Sequence, residues 1–203
     1  MSNNIRIDTS ALNQLTKDLK GFEKEIPGAV TAAVNRVVDF AYTQAAREVT
    51  NIYALKQSDV KKTMRKYKAS AGSMKAKVQS KGSTVSLASF PHTPTAPVTG
   101  KSIGGKRPKA LVKVRIKKGA PMTPINSSPK AFLQKANGST VIFKRKGKAR
   151  TPVEALKTLS VPQMISNEAV SAKITDTTQA QLQKRIMHEV EYRLNKIKSK
   201  TGG

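Results

Sequence analysis

Residues 131–146 read Ala131-Phe132-Leu133-Gln134-Lys135-Ala136-Asn137-Gly138-Ser139-Thr140-Val141-Ile142-Phe143-Lys144-Arg145-Lys146. Asn137-Gly138 tolerates the positive φ angles of a tight turn, so residues 131–135 and 140–146 are predicted to pair as a hairpin. Working outward, Val112, Val114 and Ile116 alternate with Lys113, Arg115 and Lys117, the clearest single strand pattern. Met74, Ala76 and Val78 alternate with Lys75, Lys77 and Gln79. A turn over 80–83, containing Gly82, leads into 84–90, where Val85 and Leu87 share a side, so a second hairpin is expected. Thr151-Pro152 opens a last extended piece running through Leu159. Between these strands, 91–108 is rich in Pro, Gly and Thr, has little to bury, and is expected to be mobile or ordered by a partner.

Both ends of the chain switch to a helical period. Ile5 and Ile7 suit a short edge strand. Ser10 can cap a helix carrying Leu12, Leu15, Leu19 and Phe22 on one stripe, with Gly21 as its stop. A second helix starts near Pro27, whose missing N–H is not needed in a first turn. Its apolar face is Val30, Ala33, Val34, Val37, Val38, Ala41, Ala45 and Val49. Side chains this small let a helix lie close to its neighbour. Ser58 can cap a third helix with Val60, Met64 and Tyr67 on one face and Lys61, Lys62, Arg65 and Lys66 around the rest. In the last helix Asp176 and Gln179 fit a capping box, though the start can lie as early as residue 166. Leu182, Ile186, Val190 and Leu194 then recur every four residues, with Met187 and Ile197 beside them. The order of helices, strands and helix defines an α+β chain.

Charge is concentrated where the strands are. The formal net charge is +26. No acid lies between Asp59 and Glu154, and residues 60–153 hold 23 Lys or Arg, so nearly all of the excess sits there. Such a stretch repels itself, and a polyanion relieves the repulsion. The pattern leaves three readings open: a nucleic-acid surface, a surface complementary to an acidic protein, or a solvated basic face.

Catalytic patterns are missing. The chain has no Cys, which excludes disulfide scaffolds, thiol catalysis and Cys-ligated metal sites. His92 and His188 are too far apart in sequence to suggest a metal pair, and the acids are too scattered to argue a carboxylate pair. Gly100-Lys101-Ser102 resembles the end of a phosphate-binding loop, but Thr95 stands where that loop needs Gly. The sequence thus points to no enzyme, no metal and no cofactor. No base-stacking sheet, helix-turn-helix or zinc finger is legible, so any nucleic-acid contact is expected to be to phosphates. No segment approaches the roughly 18 apolar residues of a membrane span. Residues 1–8 do not read as a signal peptide, so the chain is expected to act where it is made or in an assembly formed there.

Three stretches together resemble the minor tail protein Z family, the tail-completion proteins of long-tailed phages. The first is the Ala/Val helix running into Val-Thr-Asn-Ile-Tyr-Ala-Leu-Lys-Gln-Ser-Asp-Val-Lys-Lys-Thr at 49–63. The second is 84–90, a strand entering the Pro-rich loop. The third is Ser128-Pro129-Lys130-Ala131-Phe132-Leu133 with 141–156, an "Ala-Phe" strand, a "Val-Phe-x-Arg" strand and an Arg-x-Pro-x-x-x-Leu close. Thr151 departs from the bulky apolar residue common before that Pro. The resemblance covers about residues 20–195.

The resemblance implies a central antiparallel β-sandwich or barrel-like sheet, with N-terminal helices and a long C-terminal helix packed on the sheet. It implies a single domain, 1–203: a helical segment over 1–70, a basic β core 71–160 with the flexible loop 91–108, and a C-terminal helix and tail 161–203. It further implies a virion protein made in the host cytoplasm. Copies would form a ring, usually a hexamer, capping the head-proximal end of the tail tube and meeting the head-connector or neck protein. Phage DNA would pass through without sequence-specific contact, and no membrane is involved. On this view Lys113, Arg115, Lys117 and Lys118, with Lys144, Arg145, Lys146, Lys148 and Arg150, face DNA in the lumen or a seam between partners. Pro91, Pro94, Pro97 and Lys101 are expected at contacts with neighbouring rings. The alternative is a stand-alone basic protein that binds nucleic acid without sequence preference.

Overall fold

Pro27 lies in the first turn of a helix spanning Ile26–Ile52, and all eight apolar residues expected on its face are buried. This computed structural model describes residues 2–6, 26–70, 72–97 and 111–201. In chain order the elements are β1 (Ser2–Arg6), α1 (Ile26–Ile52), α2 (Gln57–Lys62), β2 (Met64–Tyr67), β3 (Lys77–Lys81), β4 (Thr84–Ser86), β5 (His92–Thr93), β6 (Lys113–Val114), β7 (Thr123–Pro124), β8 (Phe132–Ala136), β9 (Ser139–Arg145), β10 (Val153–Ala155), β11 (Lys157–Ser160), α3 (Val161–Ile165) and α4 (Glu168–Thr201). The class is α+β, as expected. The helix predicted over 12–22, most of the 91–108 loop with Lys101, and Ile7 fall outside the described residues.

Helix α1 is the axis of the molecule. Its C-terminal half supplies Val38, Ala41, Ala45, Ala46 and Val49 to the main core. There it meets Val60, Met64 and Val78 on one side, Val112, Val114, Leu133 and Ile142 on another, and α3 with the first turns of α4. Its N-terminal half forms a second cluster, in which Val30, Ala33, Val34 and Val37 pack on Leu182 and Ile186. The long C-terminal helix therefore lies along α1, antiparallel to it, and only Val170 and Ile174 at its start join the core shared with the sheets. The packing expected against the sheet is taken instead by the helix with the smaller side chains. Ala and Val let two helix axes approach closely and bury a long seam. Arg36 binds the buried Glu189 at 2.7 Å, and Lys173 approaches the buried Glu48 at 3.6 Å, which fixes the pairing of the two helices.

The strands form four small antiparallel sheets, ordered β1-β3-β2, β10-β9-β8, β11-β4 and β5-β6-β7, and no closed barrel occurs among the described residues. The hairpin at 131–146 forms as predicted. Phe132 pairs with Phe143 and Ala136 with Ser139, while Asn137 and Gly138 adopt φ of 49° and 75°. Two positive φ values in succession match a turn whose twist suits the flanking strands. Leu133 and Ile142 point into the core. Phe132 and Phe143 lie on the other face, half-buried against each other with ring centres 6.1 Å apart. The period of two puts them there.

Several local expectations are corrected. The helix capped near Ser58 stops at Lys62, and Met64–Tyr67 is strand β2, because Thr63 bonds Val60 O and the Ser80 hydroxyl and turns the chain onto β3. β3 and β4 do not form a hairpin: β3 pairs with β1 and β2, and β4 pairs with β11. The strand expected over 112–117 alternates in burial over 112–114, but ladder pairing covers only Lys113–Val114, with an isolated bridge from Lys117 to Tyr53. Asp176 lies inside α4, so the capping box is not there. It is at Ser160, which accepts from Gln163 N and donates its own N–H to Gln163 Oε1, opening α3. No helix among the described residues is long and apolar enough to cross a membrane.

Candidate functional site

The basic residues singled out in the sequence fall on two different sheets. Lys113, Arg115, Lys117 and Lys118 follow β6. Burial of Val112 and Val114 turns Lys113 outward, and Lys117 and Lys118 are exposed. Backbone bonds lock this segment in place. Arg115 N–H donates to Pro91 O, Lys118 N–H to Ile52 O, and Ala54 N–H to Ile116 O, at 2.9, 2.8 and 2.8 Å. The first of these bonds brings the start of the Pro-rich loop against the basic strand. Pro91, Pro94 and Pro97 are half-buried.

A cleft of about 970 Å³ opens there, with Phe90, Pro91 and His92 on one wall and Arg115 and Lys118 on another, above Tyr53. His92 Nδ1 lies 2.7 Å from Phe90 O. A carbonyl only accepts, so Nδ1 carries a proton, and the buried Nε2 has no hydrogen-bond partner among the described residues. The slot combines apolar walls with three cations, Lys56, Arg115 and Lys118, and one carboxylate, Asp59, so its charge is positive on balance.

The second group is partly consumed by the fold. Lys144 pairs with Glu154 of β10 at 3.6 Å. Arg145 donates through one nitrogen to Arg150 O at 2.6 Å and more weakly to Ala149 O at 3.4 Å, with its guanidinium 5.3 Å from the Phe132 ring centre. It therefore closes the β9–β10 connection. Lys146, Lys148 and Arg150 remain exposed on that connection.

A third basic group was not recognised as a unit in the sequence. Asp39 on α1 binds Lys66, and Lys68 at 3.2 Å. The Lys66 hydrogen bond, helped by Lys68 and opposed by partial burial, holds the Asp39 carboxyl below its ordinary pKa of 3.8. Lys61 and Lys66 also approach the Tyr42 ring, at 5.9 and 5.0 Å. Reading 64–67 as helix hid this group, since a helix would have scattered these cations around an axis. Among the described residues, no cluster of three or more His, Cys, Asp or Glu could hold a metal ion.

The family model for prophage minor tail protein Z (GPZ) matches residues 10–200. The chain belongs to this family. It is a structural protein of a phage tail, and its place is the virion. The match spans every sheet and helix named above except β1 and the last residue of α4. No curated protein and no solved structure gives a significant match. Among the described residues, this minor tail protein carries basic residues on and beside short strands packed around a helix pair.

Proposed function

We propose that this minor tail protein completes the tail: as one domain, it assembles with copies of itself into a ring, usually of six, that caps the head-proximal end of the tube. The ring joins the tail-tube protein to the head-connector or neck protein and lets phage DNA pass. The observation that carries this reading is the acid-free basic stretch 60–153 in a tail-family protein, with Arg65, Lys77, Lys81 and Lys113 exposed on small sheets. A subunit with +26 of net charge repels its own kind unless its neighbours are acidic or DNA is present. Assembly confined to the tube end, where both are available, follows from that repulsion.

In this scheme Lys113, Lys117, Lys146, Lys148 and Arg150 face the lumen or a partner seam. The cleft beside Pro91 and Arg115 receives an acidic part of the neighbouring ring. The test is the solution mass by light scattering, at low and high salt, alone and with purified tail tubes. A ring, or a monomer that becomes a ring on the tube end, is the expected outcome. A persistent monomer that ignores tubes yet binds any DNA would refute it and leave a stand-alone nucleic-acid-binding protein.

A further inference from the structure

The outward face of the β1-β3-β2 sheet is a further basic surface, distinct from the groups on β6 and β9 and from the Lys66–Asp39–Lys68 cluster. Register defines it. Tyr67 pairs with Lys77, Arg65 with Gln79, Lys66 with Val78 and Met64 with Ser80. Residues directly opposite share a face, and faces alternate along a strand. Met64, Val78 and Ser80 are buried, so their face looks into the core. Arg65, Tyr67, Lys77, Gln79 and Lys81 therefore share the other face, and all but Gln79 are exposed.

Lys66, at the end of the inward row, reaches Asp39 with Lys68, while Lys62 pairs with Asp59. These pairs engage Asp39 and Asp59 with lysines outside the outward row. Among the described residues, Arg65, Lys77 and Lys81 form no ion pair. Lys77 is held 4.8 Å from the ring centre of Tyr67, which fixes one ammonium in position. Lys77 and Lys81 lie about 13 Å apart along β3.

We infer that this face binds the phosphate backbone of duplex DNA, without reading its bases. Among the described residues the face carries cations and no carboxylate, which fits a polyanion. It does not fit a protein partner well, since the buried centre of a protein interface is apolar and poor in Lys. Protein–DNA interfaces are polar and strongly positive instead. No described residue of the face stands out as an element that would enter a groove, so the contact is to phosphates. This assignment goes beyond tail completion and does not rest on ring formation, because the isolated chain carries the whole face.

The experiment is fluorescence anisotropy of a labelled duplex of about 20 bp, titrated with the isolated protein between about 50 and 200 mM salt. Each phosphate contact contributes about 0.9 to the slope of log K against log salt, so R65Q/K77Q/K81Q lowers that slope by about 2 to 3. Affinity at about 0.1 M salt falls at least about tenfold. R65K/K77R/K81R keeps the slope, since phosphate contact needs charge and not a particular side chain. K130Q/K135Q/K184Q removes the same total charge from exposed sites elsewhere and leaves the slope nearly unchanged. Melting curves confirm that each variant is folded. Equal losses in the two glutamine triples would overturn the assignment, as would wild-type protein that does not bind duplex. Binding of poly-glutamate, but not duplex, through the same three residues would overturn it in favour of an acidic protein partner. A failed ring assay with an intact slope change would refute tail completion and leave this face standing.

Discussion

Leu182 is the residue on which the helix seam turns. It is fully buried between α4 and α1, against Val30, Ala33, Val34 and Val37, with Ile186 one turn on. Leu182→Ala removes three carbons, a transfer loss of about 2.4 kcal/mol. The facing side chains are Ala and Val, too short to swing into the space, and the Arg36–Glu189 pair restrains the helices from closing up. A cavity therefore remains and raises the cost to about 3 to 4 kcal/mol. A chain of 203 residues unfolds with an entropy of about 0.4 kcal/mol/K, so the melting temperature drops by about 7 to 10 °C. Circular dichroism at the helix band reads this directly. Met187→Ala, on the exposed side of the same helix at 56% exposure, costs less than about 0.5 kcal/mol. Because this cluster is separate from the main core, amide exchange quickens in α4 beyond Leu182 before it quickens in β8 and β9. A shift below about 2 °C for Leu182→Ala would refute the claim that the seam is a rigid, close-packed contact.

Two further outcomes follow from single sites. Gly138→Ala places a Cβ at φ 75°, costing about 1 kcal/mol in urea unfolding while the β8–β9 register survives, because the Leu133–Ile142 pair still drives it. Asp39 has a lowered pKa, so its contribution to stability is present above its ordinary 3.8 and is lost as pH falls through the lower folded value. Asp39→Asn therefore melts with a shallower dependence on pH below about 4 than wild type. The effect stays under about 1 kcal/mol because the carboxyl is 42% exposed and its partners are solvated. An unchanged acid limb in D39N would count against the Lys66–Asp39–Lys68 contact.

The Ala/Val face of α1, the Asn137-Gly138 hairpin, and the basic strand around Val112 and Val114 were all legible from residue order. Each rests on local physics: a helical stripe, two residues that accept positive φ, and alternation on a pleat. The concentration of charge over 60–153 and the resemblance to the tail family were equally plain in the sequence. The candidate site was only partly legible. Lys144 and Arg145, expected at the lumen or a partner seam, also hold β9 to β10, whereas reading 64–67 as helix kept Arg65 from being grouped with Lys77 and Lys81 on one face.

Sequence alone determined which segments carry a helical or a strand period, where the tight turn falls and how much charge the chain must manage. Tertiary structure decided the partners. Whether β3 pairs with β4 or with β1 and β2, and whether α4 lies on a sheet or along α1, depends on contacts between residues far apart in the chain. Such choices are made by competition among surfaces for burial, to which local propensity contributes little. The smallest side chains won the longest helix because close approach buries the most area, and the hydroxyls of Thr63 and Ser80 turned a would-be helix into the edge of a basic sheet.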